Sequence, residues 1–210
     1  MSPAARPIRV LTVDDHPMLR EGIAAVIQLQ SDIVVVGEAE NGADAVERFA
    51  QLKPDITLMD LQMPVMNGLD AIKAIRRDHP AARIVVLTTY DGDVQALMAL
   101  KAGAAGYLLK STLRKDLLDA IRAVHAGRRH IPAEIAGQIA QHISDELLSE
   151  REMDILRLVA AGNPNKRIAL TLAISEQTVK AHLKNIFGKL SVADRTQAVT
   201  VAVKRGIIAL

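Results

Sequence analysis

The first 125 residues alternate between short apolar runs and helical patterns, and this alternation constrains the fold more than any other feature. The apolar runs are IRVLTV (8–13), IVVVGE (33–38), DITLM (55–59), RIVVLT (83–88) and AGYLL (105–109). Helical patterns lie between and after them, at about 17–29, 42–52, 67–78, 93–102 and 113–125. Buried strands separated by helices predict a parallel sheet covered on both faces. We therefore expect a doubly wound, flavodoxin-like α/β domain with five parallel strands over residues 8–125.

The composition excludes several classes of protein. Hydrophobic residues make up 50% of the 210 residues but aromatic residues only 2%, so Ala, Val, Ile and Leu must build the core. The absence of Cys excludes a disulfide scaffold and a Cys nucleophile. No apolar run approaches the roughly 18 residues of a membrane span, and MSPAARPIRV lacks the features of a signal peptide. We therefore expect a cytoplasmic protein with no membrane contact.

Charge divides the chain into a neutral front and a basic back. Residues 1–130 carry 16 basic and 16 acidic side chains, whereas residues 148–210 carry 10 basic and 5 acidic ones. Small and polar residues mark the change at 126–146, which we interpret as a partly helical linker. An all-α domain is predicted over 147–210, with helices at about 149–161, 164–172, 176–190 and 193–205. Its basic character favours a polyanionic partner.

Chemically active side chains stand at the ends of four of the five strands. Asp14 and Asp15 follow the first strand, Asp60 follows the third, Thr88 ends the fourth and Lys110 follows the fifth. In a doubly wound sheet the carboxyl ends of the strands lie at one edge, where functional groups are expected. The sequence therefore predicts that these five side chains lie close together.

The chemistry of this set is that of a phosphoryl site. Asp14 and Asp15 are oxygen ligands suited to Mg²⁺, which would relieve their mutual repulsion. Asp60 is suited to accept a phosphoryl group, and Lys110 and Thr88 are suited to pair with its oxygens. Each residue alone has an ordinary interpretation as a hydrated or capping side chain, but the coincidence at four strand ends favours the site.

Separate segments along residues 8–125 resemble the receiver domain of bacterial two-component response regulators: VDDHPMLREG, PDITLMDLQMPVMNGLDA, VVLTTYDGD and AGAAGYLLKS. The resemblance implies that Asp60 is the phosphoacceptor and that a histidine kinase is the donor. It also implies a Mg²⁺ ion held by Asp14, Asp15, Asp60 and the backbone carbonyl of Gln62. A receiver is not a conventional enzyme, so at most slow self-dephosphorylation is expected.

The same resemblance implies a conformational switch. Thr88 and Tyr107 would form the switch pair, which moves inward when the phosphoryl group arrives. Gly68 matches the loop that follows the phosphorylated aspartate in this family. The chain departs from the family at Ser111, where many receivers have Pro after the lysine. A cis peptide bond before Ser111 would cost about 3 kcal/mol, which bears on how Lys110 is aimed.

The basic domain contains a helix-turn-helix pattern. Asn163 and Pro164 are interpreted as the N-cap and first residue of one helix, and Ser175 as the N-cap of the next. Val179, Leu183 and Ile186 form the inward face of that second helix. Most helical lysines are simply solvated, but a recognition helix in the major groove is the sharper interpretation. It would place Lys180, Ala181 and Lys184 near base edges, and Thr178, His182 and Lys189 near phosphates.

Residues 147–207 also resemble the LuxR-type DNA-binding domain of NarL/FixJ regulators, through LSERE, GNPNKRIA, ISEQTVKAHLKNIFGKL and DRTQAV. The resemblance implies double-stranded promoter DNA as the partner, read as two half-sites by a homodimer formed on activation. Such dimers form through the last helix, about 193–205, and the unphosphorylated receiver often covers the recognition helix. RNA polymerase is a further candidate partner.

Two other functions fit part of the sequence. A phosphorylation-independent DNA-binding regulator could keep the receiver fold without using it, although all acceptor residues are present. An aspartate-nucleophile phosphatase would place its nucleophile on the first strand in a D-x-D arrangement. This chain instead has adjacent Asp14 and Asp15 there, with no evident substrate loop.

Overall fold

The structure is a computed structural model that describes residues 6–89, 93–142 and 148–208. The five strands are β1 (Ile8–Val13), β2 (Ile33–Ala39), β3 (Ile56–Asp60), β4 (Ile84–Thr88) and β5 (Gly106–Leu109). The helices that alternate with the strands are α1 (Pro17–Gln28), α2 (Gly42–Leu52), α3 (Gly68–Asp78), α4 (Asp93–Lys101) and α5 (Leu113–His125). The later helices are α6 (Ala133–His142), α7 (Glu150–Ala160), α8 (Asn165–Thr171), α9 (Glu176–Leu190) and α10 (Arg195–Lys204).

The five strands form one parallel sheet in the order β2-β1-β3-β4-β5, which confirms the predicted doubly wound fold. Val10, Leu58 and Leu87 lie on one face of the sheet, in a core cluster with the buried sides of α1 and α5. The alternating residues of β1 point to the opposite face, where α2 packs against β1 and β2. Because all strands run the same way, their carboxyl ends share one edge of the sheet.

The chain that follows α5 returns to the free edge of β5. His130 forms a parallel bridge with Gly106. The Tyr107 N–H donates to the His130 carbonyl over 2.8 Å, and the His130 N–H donates to the Ala105 carbonyl over 3.3 Å. A Cβ on Gly106 would lie 3.3 Å from the His130 carbonyl oxygen, so the two backbones approach closely. The outer side of β5, at the end of the strand order, is therefore paired with residues of the same chain.

The C-terminal helices have a core of their own, in which α9 contributes Val179, Leu183, Ile186 and Leu190, all buried. These positions confirm the predicted inward face of α9. The Ser175 side chain accepts a hydrogen bond from the Thr178 N–H over 3.0 Å, so the predicted cap of α9 is also confirmed.

The predicted start of α8 is wrong by one residue. The N-cap position is Pro164, with extended backbone (φ −71°, ψ 158°), and the first helical residue is Asn165. Asn163 lies outside the helix, and its side-chain amide donates to the Leu158 carbonyl over 3.0 Å. The amide of Asn163 therefore satisfies the end of α7 rather than the start of α8.

By their internal contacts, the described residues form two units. One holds residues 6–89 and 98–136, and the other holds residues 93–97, 137–142 and 148–208. The first unit thus includes residues 126–136, which the sequence analysis assigned to the linker. None of the helices in the described parts of the chain is long and apolar enough to cross a membrane.

Candidate functional site

Three carboxylates meet at the carboxyl edge of the sheet, because β1 and β3 are neighbours in it. Asp14, directly after β1, is fully buried, Asp15 is partly exposed, and Asp60 is the buried last residue of β3. Each of these carboxylates and His16 offers a ligand atom, and the four atoms lie within 4.8 Å of one another. The structure therefore brings the three predicted acids together.

Lys110 follows β5 and reaches back across the sheet edge to two of these acids. Its ammonium lies 2.7 Å from Asp14 Oδ2 and donates to Asp60 Oδ2 over 2.8 Å. The Lys110–Ser111 peptide bond is trans, and the Lys110 N–H donates to the Thr88 carbonyl over 2.6 Å. Ser111 in place of Pro is therefore compatible with a lysine aimed at Asp60.

Burial and the paired charges shift the pKa values of both Asp60 and Lys110. Burial raises the pKa of Asp60, and the nearby Asp14 adds to that effect, although the Lys110 ammonium opposes it. Burial alone would lower the pKa of Lys110, but hydrogen bonds to the two carboxylates raise it above its ordinary value. The ammonium stays charged at neutral pH, and the carboxylate of Asp60 is kept poorly solvated.

Thr88 and Tyr107 lie on the same face of the sheet, on adjacent strands. The register pairs Val86 with Tyr107 and Thr88 with Leu109, so Thr88 and Tyr107 are diagonal neighbours. Both are buried, and the Tyr107 side chain is fully enclosed. The predicted switch pair is therefore adjacent in space, with Tyr107 in an inward position.

The loop after Asp60 is held tightly against it. The Gly68 N–H donates to the Leu61 carbonyl over 3.0 Å. A Cβ added to Gly68 would lie 1.9 Å from the Asp60 carbonyl oxygen, which no side chain could tolerate without movement. The Gln62 N–H donates to Asp60 Oδ1 over 3.3 Å. Glycine at position 68 is thus required by the close approach of the loop to the site.

The donor set fits a small hard cation. Asp14, Asp15 and Asp60 supply carboxylate oxygens within one small volume, and such oxygens are the ligands that Mg²⁺ takes in phosphoryl-transfer sites. Gln62 stands two residues after Asp60, and its carbonyl remains a predicted ligand. Tyr90, which lies near this edge in the sequence, falls outside the described residues.

Sequence reasoning missed two residues that touch the acids. The exposed His16 ring has Nδ1 at 3.1 Å from Asp14 Oδ1 and 2.8 Å from Asp15 Oδ1. Arg20 is buried and donates to the Asp14 backbone carbonyl over 2.6 Å. The sequence does carry a signal for Arg20. It lies three residues before Ile23 and seven before Ile27, which places it on the buried face of α1.

A second candidate surface is the outward face of α9. Thr178, Lys180, Ala181 and Lys184 are exposed and His182 is half-buried, so these five predicted DNA contacts are accessible to solvent.

Lys189, the sixth predicted contact, is partly exposed and forms an ion pair with α7. Its ammonium donates to Glu152 Oε2 on α7 over 2.9 Å, and Glu152 also closes a capping box with Ser149. At roughly 100° per residue, Thr178 and His182 lie within about 20° of Lys189 around α9, so the ion pair to Glu152 is what distinguishes Lys189 from them. The placement of Lys189 near phosphates stays a prediction.

Comparison with known proteins agrees with this architecture. Residues 10–122 match the model of the response regulator receiver domain, and residues 146–202 match that of the bacterial regulatory proteins of the luxR family. The response regulator protein VraR of Staphylococcus saprophyticus is 42% identical over 207 residues, which cover 96% of this chain and 99% of VraR.

Solved structures give the same result. The response regulator ChrA of a heme-sensing two-component system is 37% identical, with a TM-score of 0.57 over 97% of this chain and 100% of ChrA. The response regulator RcsB in complex with DNA is 27% identical, with a TM-score of 0.67 over 95% of this chain and 99% of RcsB.

The parallel sheet, its acidic carboxyl edge and the appended helix-turn-helix define a response regulator of a two-component system. Among such regulators, the chain belongs to the NarL/FixJ family, in which a receiver is joined to a LuxR-type DNA-binding domain.

Proposed function

We propose that a histidine kinase switches this response regulator by phosphorylating Asp60, and that the phosphorylated protein dimerises and binds promoter DNA. The observation that carries the proposal is the Lys110 ammonium, which lies within 2.8 Å of both Asp14 and Asp60 at a buried strand end. A cation in this place is ready to receive negative charge on Asp60.

In the proposed reaction, an Asp60 oxygen attacks the phosphorus of a phosphohistidine on the kinase. The O–P bond to Asp60 forms while the P–N bond breaks, and the electron pair of that bond stays with the imidazole. Mg²⁺ bound by Asp14, Asp15, Asp60 and the Gln62 carbonyl would supply positive charge to the phosphoryl oxygens. Lys110 would pair with one of these oxygens.

We assign the readout of phosphorylation to Thr88 and Tyr107. A phosphoryl group on Asp60 offers an acceptor that the Thr88 hydroxyl, at the end of the adjacent strand, would bind. A shift of Thr88 toward this group changes the space available to the side chain of Tyr107, its diagonal neighbour. The inward Tyr107 seen here would then be the conformation that the phosphorylated state retains.

The DNA-binding part of the proposal rests on α9. Its exposed lysines, Lys180 and Lys184, lie one turn apart, as expected for a helix in the major groove of double-stranded DNA. RcsB, which has the same fold, has been solved bound to DNA, and this supports the assignment. A homodimer formed through α10 would read two half-sites, and RNA polymerase would be the next partner.

Light scattering with beryllofluoride and Mg²⁺ tests the switch, because beryllofluoride mimics a phosphoryl group on an aspartate. We expect wild type to dimerise and to bind duplex DNA more tightly, and Asp60→Asn to do neither. Incorporation of phosphate from an acyl phosphate donor should likewise require Asp60. DNA binding that is equally tight with and without beryllofluoride would instead identify a phosphorylation-independent regulator.

A further inference from the structure

Arg20 on α1 is a charged side chain in the core, only 7% exposed, and it lies beneath the acid site. Its guanidinium has three acceptors. One nitrogen donates to the Asp14 backbone carbonyl over 2.6 Å, Nε donates to Glu38 Oε2 over 3.1 Å, and the third donates to Glu40 Oε1 over 3.2 Å. A single planar group therefore joins the end of β1 to the end of β2.

The backbone of Asp14 is hydrogen-bonded on both sides of its Cα. Its N–H donates to the Ala39 carbonyl over 3.1 Å, and its carbonyl accepts from Arg20. The carboxylates of Asp14 and Asp15 project from the two residues that share this carbonyl's peptide unit. Their position relative to Asp60 thus depends on a backbone bond that Arg20 makes.

An irregularity in the sheet determines the side to which Glu38, a partner of Arg20, points. The β1–β2 register shifts between Val10 and Leu11, which leaves one extra residue in β2. After the shift Thr12 pairs with Glu38, so Glu38 faces the same side of the sheet as Thr12, where Arg20 lies. Without the extra residue, Glu38 would point to the opposite face. The bulge is therefore needed to orient the guanidinium.

We propose that Arg20 is a positioning residue that holds the Asp14–Asp15 pair in the geometry that binds the divalent cation. The inference rests on the proposed function, since it assigns Asp14 and Asp15 to Mg²⁺. Arg20 does not touch the cation, and the guanidinium acts through the Asp14 carbonyl. Partners of this kind, which orient metal ligands, typically change metal affinity 10–100-fold when removed.

A matched control exists elsewhere in the same domain. Arg122 on α5 also bonds through its guanidinium to residues next to β2, namely Asp32 and Gln30. Those residues precede β2, whereas Glu38 and Glu40 stand at its carboxyl end. Arg122 thus ties a helix to the sheet as Arg20 does, but at the end remote from the acids.

The test is the dissociation constant for Mg²⁺ alone, measured by titration calorimetry on the full-length chain. Thermal unfolding of each protein in EDTA is measured in parallel. We expect Arg20→Gln to bind Mg²⁺ at least about 10-fold more weakly than wild type. Arg20→Lys keeps the charge but not the planar fork, so an intermediate loss is expected. Arg122→Gln should bind Mg²⁺ as wild type does, even where its unfolding temperature falls.

The outcomes separate the two proposals. If wild type binds Mg²⁺ and both Arg20 variants bind it within twofold, the positioning role is overturned while the proposed function stands. If Arg20→Gln does not fold, Arg20→Lys alone decides, by the same comparison with Arg122→Gln. If wild type itself binds no Mg²⁺, the proposed cation site is overturned, and the role of Arg20 with it.

Discussion

The Lys110 ammonium donates to the Asp60 carboxylate over 2.8 Å, so the ends of β5 and β3 are joined at the proposed phosphoacceptor. The same ammonium lies 2.7 Å from Asp14, and its side chain is only 12% exposed. Lys110 thus already compensates part of the negative charge that a divalent cation would share. Changes in either partner should alter stability and cation response together.

Lys110→Met removes this ammonium and leaves Asp14 and Asp60 close together in a buried place. We expect the free energy of unfolding to fall by about 3 kcal/mol in EDTA, the cost of breaking a buried pair. Mg²⁺ should restore more stability to the variant than it adds to wild type. Urea unfolding followed by tyrosine fluorescence measures this, because both tyrosines, Tyr90 and Tyr107, lie in the receiver.

The control for Lys110 is Lys73→Met, which removes an exposed ion pair to Asp70. Its unfolding free energy should change by less than about 1 kcal/mol, with no change in the response to Mg²⁺. Equal losses in the two variants would contradict the importance of the buried pair.

Asp60→Asn should stabilise the receiver at neutral pH in the absence of cations. A carboxyl whose pKa burial raises stabilises the fold below its ordinary pKa of 3.8, and that stability is lost as the pH rises through the folded value. Asparagine carries no charge, so the unfolding temperature at pH 7 in EDTA should rise by about 4 °C. The difference should shrink as the pH approaches 4, and a lower unfolding temperature in the variant would contradict this account.

Gly68→Ala places a methyl group against the Asp60 carbonyl, so the loop must move. We expect a loss of about 1–3 kcal/mol in stability and weaker binding of beryllofluoride. Gly22→Ala is the control, since a Cβ there meets nothing within 4 Å and alanine favours the helix α1. Denaturant unfolding and beryllofluoride titration of both variants give the comparison. Unchanged beryllofluoride affinity in Gly68→Ala would show that the loop yields freely.

The two kinds of lysine on α9 should differ in their effect on DNA binding. Lys184→Ala, at a predicted base edge, should weaken binding to the cognate duplex by about 1–3 kcal/mol and relax specificity at the base it contacts. Lys189→Ala should leave the slope of log K against log salt unchanged and lower stability instead, because it leaves the buried Glu152 without its ammonium partner. Filter binding to cognate and altered duplexes over a range of salt concentrations separates the two. A reduced slope in Lys189→Ala would place this residue at the phosphates after all.

Glu152 should make the packing of α7 on α9 sensitive to acid. Burial works to raise its pKa, but the Ser149 N–H and the Lys189 ammonium outweigh this and lower it. A carboxyl with a lowered pKa stabilises the fold above its ordinary pKa of 4.5, and that stability is lost as the pH falls through the folded value. Hydrogen-exchange protection of α7 and α9 should fall below about pH 4.5, and Glu152→Gln should flatten this dependence. Asp154→Asn, at an exposed pair with Arg157, should retain it.

Much of the fold follows from local sequence because the strands are buried on both faces. A run such as IVVLT cannot be exposed on either side, so it predicts a central strand, and the polar residue that ends it, Thr88, predicts the site edge. The meeting of Asp14, Asp60 and Lys110 follows from the same argument. The distances within the site do not, since they depend on how far the lysine side chain reaches across the sheet.

Contacts between residues that lie in different elements could not be predicted from the sequence. The bulge in β2 that turns Glu38 toward Arg20 leaves no signature in IVVVGE, because a run that is apolar on both faces fixes no register. The error at Asn163 has a similar cause. Both Asn163 and Pro164 are residue types found at the start of helices. The side chain of Asn163 instead bonds to the Leu158 carbonyl of α7, and Pro164 takes the N-cap position of α8.

The bridge between Gly106 and His130 has a practical consequence for expressing the receiver alone. A fragment cut after residue 125 would remove the peptide groups that pair with Ala105 and Tyr107 along the edge of β5. An unpaired strand edge is a template for association with other chains, so such a fragment is prone to aggregate. A fragment that runs through residue 136 retains this cover and the buried Ile135, and is the better choice for crystallisation and spectroscopy.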